Sequence, residues 1–296
     1  MVRHENDKPQ APARVVVLGA GGFIGRTLVA ALESRGTPCL ALGSRDLDLS
    51  AAGAGEILAG RLRQDDAVVL LSALTPDKGR GLDPFMKNIA MGAALCGALA
   101  KVTPRHVVYF SSDAVYPMEV GTVSERSCAQ PPDLYGMMHL AREVMIKSAT
   151  QAPVLILRPT LVFGAADTHN SYGPNRLRRA AHREGKIALF GEGEETRDHL
   201  YVRDVVALTL RTLERRSAGT LNLATGQSIS YADLARAVVR PFGRDIPIAG
   251  TPRQNPITHR SFDITALVKA FPDFRFTPLD EALAEAHREM LAAEPK

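Results

Sequence analysis

The chain has 296 residues, 45% of them hydrophobic and 23% charged, close to the mix of ordinary globular proteins. At about 150 residues per domain this length holds two domains or one large α/β unit, and the composition excludes disordered, collagen-like and fibrous classes. A net charge of +4 is too mild to imply nucleic acid without a concentrated basic stripe. The three cysteines, Cys39, Cys96 and Cys128, are too scattered for a disulfide framework or a metal site, so no metal is expected and a reducing, cytoplasmic location is. No apolar run approaches the length of a membrane span, and residues 1–13 lack the apolar stretch of a secretory signal. That segment reads as a disordered tail.

Short, continuously apolar runs at 14–18, 38–42, 67–72, 106–111 and 153–157 alternate with helix-period segments at about 23–35, 51–62, 83–100 and 135–149. Continuous apolarity means burial on both faces, as in a parallel sheet. Strand–helix–strand repetition then implies right-handed crossovers and an α/β fold with a Rossmann-type doubly wound sheet. The pattern loosens after Arg158. A strand, helix and strand return at 199–202, 204–215 and 220–223, followed by helices at 231–240 and 279–292 around a Pro-rich connection. The expected organisation is a dinucleotide-binding domain of 14–164 plus about 198–224. A small C-terminal substrate lobe of 165–197 plus 225–296 would complete it.

The first strand runs into Gly19-Ala-Gly-Gly22-Phe23-Ile24-Gly25 and a helix start. Glycines let the backbone turn sharply and approach a diphosphate, whose charge meets the helix N-terminus. The spacing is Gly-x-x-Gly-x-x-Gly. At the end of the second strand, where a carboxylate would hold the ribose of NAD, the chain reads Gly43-Ser44-Arg45-Asp46. A hydroxyl and a guanidinium suit the 2′-phosphate of NADP, with NAD the alternative should Asp46 or Asp48 swing in. Ser72, Ala73 and Leu74 end the third strand, where cofactor ribose would pass. Asn88 is expected to stabilise a bend near the site.

The fourth strand ends Phe110-Ser111-Ser112-Asp113-Ala-Val-Tyr116, and Tyr135-Gly-Met-Met-His139 follows on a helix. With the glycine loop, the 157–164 segment Leu-Arg-Pro-Thr-Leu-Val-Phe-Gly and the 196–204 segment around Arg197-Asp198, these residues resemble the extended short-chain dehydrogenase/reductases, the NAD-dependent epimerase/dehydratase family. The resemblance covers most of the chain. Its Ser-Ser-Asp segment is similar to the dTDP-4-dehydrorhamnose reductases and its Arg-Asp segment to the nucleotide-sugar epimerases. It implies hydride transfer at a sugar carbon, C4 first, of a nucleotide sugar, by epimerisation or keto reduction. It also implies Tyr135 as acid/base and Ser112 as its hydroxyl partner.

In the family a lysine four residues after the tyrosine holds the nicotinamide ribose and lowers the phenol pKa. Here His139 stands in that place, on the same helix face. A neutral imidazole can donate to a ribose but activates a phenol less. The alternative reading is therefore a weak or inactive NADP-binding or regulatory member. Asp113 is followed by Ala114, so the carboxylate pair of the 4,6-dehydratases is incomplete and dehydration is not expected. On the substrate side the candidates are Ser112, Asp113, Thr160, Asn175, Arg197 and Arg260. The small-residue helix at 83–100 is either core or a homodimer face.

Overall fold

The apolar runs become a parallel sheet because alternate residues feed two cores. Val15 and Val17 of the strand Arg14–Leu18 pack with Leu28, Leu32 and Leu208, whereas Val16 and Leu18 pack with Leu58, Leu95 and Ile146. All four are buried, and the strand's polar residue, Arg14, stands at its half-buried start. In this computed structural model residues 2–118, 121–167, 173–253 and 256–293 are described. A seven-stranded sheet runs in the order Arg3–His4, Ser217–Leu223, Val154–Pro159, His106–Phe110, Asp66–Leu70, Arg14–Leu18, Cys39–Leu42. Every pairing is parallel except the first.

The chain leaves Arg14–Leu18 towards Cys39–Leu42 and then crosses back to Asp66–Leu70 on the other side. This reversal opens a crevice at the carboxyl ends of the strands, the usual ligand position in such sheets. Helices Phe23–Ser34 and Val202–Glu214 cover one face; Ala54–Ala59, Leu82–Leu99 and Leu134–Ala149 cover the other. A third core, with Leu177, Ile187, Leu189, Leu234 and Leu283, lies among helices Pro174–Arg183, Tyr231–Val239 and Leu279–Ala292. It is continuous with Phe23 and Phe163 beside the glycine loop.

Three features depart from the expectations. The strand expected at 199–202 does not rejoin the main sheet. Thr196–Tyr201 pairs instead with Leu161–Phe163 and Ser228–Ser230 in a separate three-stranded sheet. The helix expected at 51–62 shortens to Ala54–Ala59, framed by Gly53 at φ +77° and by Gly60. The supposed tail is docked. Arg3–His4 lines up antiparallel to Ser217–Ala218, Asn6 N–H donates to the Arg215 carbonyl at 3.1 Å, and Gln10 N–H to that of Glu214 at 3.0 Å. The His4 ring bridges Ser217 Oγ and the Ala270 carbonyl, both at 2.9 Å. The segment occupies a sheet edge whose unpaired N–H and C=O groups would otherwise be open to another chain. Two residues of strand carry no periodicity, so the sequence did not signal it. Among the described residues no helix is long and apolar enough to cross a membrane.

Replacing His4 by Ala removes both bridges and is expected to destabilise the protein by about 1–3 kcal/mol. Urea unfolding reads this as a lower midpoint; an unchanged midpoint would mean that the edge is not held this way in solution.

Candidate active site

The strand ends open on a cleft of about 1490 Å³, roomier than a pocket for one small ligand. Gly19 sits at φ +96°, and a Cβ there would lie 2.7 Å from the backbone nitrogen of Ser72; at Gly25 it would lie 2.2 Å from the Gly19 carbonyl oxygen. Side chains at these two positions would collide with backbone, so the loop requires glycine. Nothing lies within 4 Å of a Cβ built at Gly21, which leaves the outer surface of the loop open to the cleft. Gly22 caps the following helix without a side chain, so the first-turn N–H groups and the positive end of the dipole face outward. These residues fit a dinucleotide diphosphate.

Ser44 and Arg45 line the far end of the cleft. The neighbouring carboxylates are occupied locally. Asp46 accepts from Gly43 N–H at 2.9 Å, and Asp48 accepts from Ser50 N–H at 2.9 Å and Ser50 Oγ at 2.7 Å. Asn88 grips Leu74 by both backbone groups, accepting from its N–H at 2.8 Å and donating to its carbonyl at 3.0 Å. Phe23, Ile24, Ser72, Ala73, Leu74, Tyr135 and His139 line the same cleft.

Ser112 caps one 3-10 turn, Asp113–Val115, by accepting from Ala114 N–H at 3.1 Å. Asp133 caps the helix Leu134–Ala149 by accepting from Gly136 N–H at 2.9 Å. The two turns close on each other at Gly136, where a Cβ would stand 2.1 Å from the Ala114 carbonyl oxygen. This approach sets the Tyr135 phenol beside the Ser112 side chain, and both line the cleft. Burial pushes the phenol up to about 12 and the charge of Asp113 adds to the rise, against the pull of the Ser112 hydrogen bond and Arg142. The Asp113 carboxyl is itself raised by burial, although Arg260 donates to its Oδ2 at 3.1 Å.

His139 is 2% exposed, with its ring edge-on to Tyr135 at 4.7 Å between centroids. Its Nδ1 is hydrogen-bonded to the Tyr109 hydroxyl at 2.7 Å, while the buried Nε2 has no hydrogen-bond partner among the described residues. Burial, and then the charge of Arg142, hold the imidazole well below its ordinary pKa. The side chain in the lysine's place is therefore neutral.

Sequence reasoning passed over the groups beneath it. Arg142 is fully buried, lies 5.0 Å above the Tyr109 ring, and donates to the Ser72 carbonyl at 3.0 Å. Glu143 accepts from Ser111 Oγ at 2.6 Å and is gripped by Arg158 through Nε at 2.9 Å and Nη2 at 2.6 Å. Arg158 also donates to the Tyr116 hydroxyl at 2.7 Å, which donates to Asn222 Oδ1 at 2.9 Å. The available signal was spacing: His139, Arg142 and Glu143 follow Tyr135 at helical intervals that put them on one face.

Of the substrate-side candidates, Ser112, Asp113, Thr160 and Asn175 line the cleft. Thr160 Oγ1 donates to the Asp198 carbonyl at 3.0 Å, and Asn175 donates to Asp167. Arg197 and Arg260 stand outside that lining. The Arg197 guanidinium donates to the carbonyls of Thr196 and Thr258 at 2.8 and 2.7 Å and to Thr258 Oγ1 at 2.7 Å. Arg260 is 3% exposed and, besides Asp113, donates to the carbonyls of Tyr116 at 3.2 Å and Pro117 at 2.6 Å. Its guanidinium is consumed in fixing the Asp113 turn.

A doubly wound sheet with a glycine loop at its reversal point, and a serine after the strand His106–Phe110 facing a tyrosine at a helix start, defines a dinucleotide-binding α/β protein. The model of the NAD dependent epimerase/dehydratase family matches residues 15–224, and the chain belongs to that family. Among curated proteins it is 27% identical to a dTDP-4-dehydro-6-deoxy-D-allose reductase of Streptomyces bikiniensis, covering 93% of this chain and 95% of that one. Among solved structures, a protein described as a putative epimerase from Burkholderia cenocepacia superposes with a TM-score of 0.81 at 26% identity, covering 96% of this chain and 100% of that one. A GDP-L-fucose synthetase from Naegleria fowleri bound to NADP shares the fold, with a TM-score of 0.84 at 18% identity over 98% of this chain and 97% of that one.

Two outcomes follow from the buried charges. Glu143→Gln leaves Arg158 without its counter-charge and is expected to cost about 3–5 kcal/mol in urea unfolding. His106 and His199 are buried and lowered to about 4 and about 3, and His139 is lowered as well. Each takes up a proton more readily when unfolded, so their contribution is complete above about pH 6.5 and declines as the pH falls towards the folded values. Urea midpoints should drop steadily from neutral pH to about pH 4; midpoints constant across that window would contradict the neutral, buried imidazoles.

Proposed function

We propose that the protein is an NADPH-dependent reductase acting on the 4-keto group of a nucleotide sugar. The observation that carries this reading is the state of Tyr135, whose phenol is pushed up to about 12 beside a neutral His139. A phenol so placed keeps its proton at neutral pH, so it can supply one to the more basic alkoxide that hydride addition creates, and it is not poised as a phenolate to take one. Reduction of a ketone needs that gift; an epimerase must begin with the phenol as base.

A reduced nicotinamide, when bound, supplies the hydride. Ser112 would donate to the carbonyl oxygen and hold it beside the phenol. Tyr135 then passes its proton to that oxygen as the alcohol forms, and the charge left on the phenol is met by Arg142. Asp113, fixed by Arg260, would orient a sugar hydroxyl, and Thr160 and Asn175, which line the cleft, are the candidates for the rest of the nucleotide sugar. Ser44 and Arg45 favour the 2′-phosphate of NADP, the more so because Asp46 and Asp48 are engaged in their own turns. The naming of the Streptomyces relative as a reductase of a 4-dehydro sugar supports the same direction. Exposed Leu82, Met86, Met137 and Val144, on two adjacent helices, support a homodimer through that face.

A dinucleotide-binding protein without turnover is the competing reading, favoured by the absence of charge at His139. Incubation with NADPH and a panel of 4-keto dTDP-, GDP- and UDP-sugars separates them. Stoichiometric oxidation of NADPH is expected, with Tyr135→Phe lowering kcat by about a hundredfold or more. Interconversion of C4 epimers by cofactor that is never consumed would overturn the reductase reading, and so would binding of NADPH without turnover of any sugar in the panel.

A further inference from the structure

Tyr109 lies in the central strand His106–Phe110, 1% exposed, and has no part in the reaction described above. Its hydroxyl nevertheless decides how His139 can present itself to the cleft. The two groups are 2.7 Å apart, and the direction of their hydrogen bond can be counted out. If Nδ1 carried the ring hydrogen and donated to the phenol oxygen, the phenol's own hydrogen would be buried without an acceptor. If the phenol donates to Nδ1, its hydrogen and the Nδ1 lone pair are both satisfied, and the ring hydrogen must sit on Nε2.

The surroundings reinforce the second arrangement. The Arg142 guanidinium stands 5.0 Å from the Tyr109 ring centroid, where its positive charge makes the phenol a better donor and a poorer acceptor. The same charge opposes a second proton on the imidazole. The aromatic groups beside the ring are Tyr109 from the strand and Tyr135 from its own helix, and among the described residues no carboxylate is hydrogen-bonded or ion-paired to it to favour an imidazolium. Nε2 is buried as well and is the ring nitrogen without a partner among the described residues, and His139 lines the cleft.

We propose that Tyr109 is a positioning residue that locks His139 as the neutral Nε2–H tautomer, aiming a single N–H donor at the ribose of a nicotinamide dinucleotide in the cleft. The ribose contact rests on the dinucleotide reading of the cleft; the tautomer does not. Where a lysine offers three rotatable donors and a charge, this pair offers one directed donor and none.

Long-range ¹H–¹⁵N correlation of the imidazoles in the cofactor-free protein near neutral pH tests the lock, with His139 assigned by its loss in His139→Gln. The expected pattern is an acceptor-type Nδ1 and a protonated Nε2. An Nδ1–H ring, an imidazolium or a mixture of tautomers in the wild type overturns the proposal, and this measurement needs no variant beyond the one used for assignment. Tyr109→Phe is expected to release the ring into a mixture of tautomers. It should also weaken NADPH binding roughly tenfold, the worth of one hydrogen bond, in a fluorescence titration with the circular dichroism spectrum unchanged. A Tyr109→Phe ring that stays wholly Nε2–H overturns the lock, and mixed tautomers with wild-type NADPH affinity overturn the aim at the ribose. Because the spectra are taken without sugar, their outcome is independent of whether the protein reduces one.

Discussion

The ion pair of Glu143 with Arg158 holds the rest of the site in place. It joins the tyrosine helix to the strand Val154–Pro159, and through Ser111 and Tyr116 it reaches the two ends of the turn that carries Ser112. Charges this deep survive only when their hydrogen bonds are met on every side, and the pair meets them with groups drawn from four separate stretches of chain. The result is a fixed distance between a strand end and a helix start. Tyr135 and Ser112 meet because that distance is fixed and because Gly136 lets the backbones touch.

Against this rigid frame the electrostatics are unusual in one respect. The position that carries a lysine in the proteins this chain resembles holds a neutral imidazole, and a cation that acts on the Tyr135 phenol is the buried Arg142. Arginine keeps its charge at any pH a cell meets. Charge has thus been separated from cofactor contact: the guanidinium biases the phenol from below, while the imidazole is left to hydrogen bonding.

Much of the fold was legible in the sequence because two-sided burial writes itself as continuous apolar runs, and the glycine loop and the Ser112–Tyr135 spacing are local signals. The legibility failed where pairing is long-range. Whether the run at 199–202 joins the main sheet depends on Leu161–Phe163, which has no periodicity of its own, and the docking of His4 depends on Ser217 and Ala270. In the site, residues on the loop and turn were readable by type. Arg260 was readable as a cation but not in its task, because only the folded chain shows that it spends its donors on Asp113, Tyr116 and Pro117. Tyr109 was hidden inside a strand whose apolar pattern it does not interrupt.

The reach of Arg260 sets an order on synthesis. It stands 147 residues after the Asp113 it secures, beyond the 15–224 stretch that carries the family's motifs. As the chain leaves the ribosome, the glycine loop, the serine and the tyrosine all emerge while the turn between them still lacks its clasp. Sheet and cofactor cleft can assemble early from local crossovers, whereas the carboxylate beside the phenol takes its final place only after the C-terminal lobe has arrived. The turn that carries Ser112 and Asp113 is thereby completed last, once residue 260 has been made.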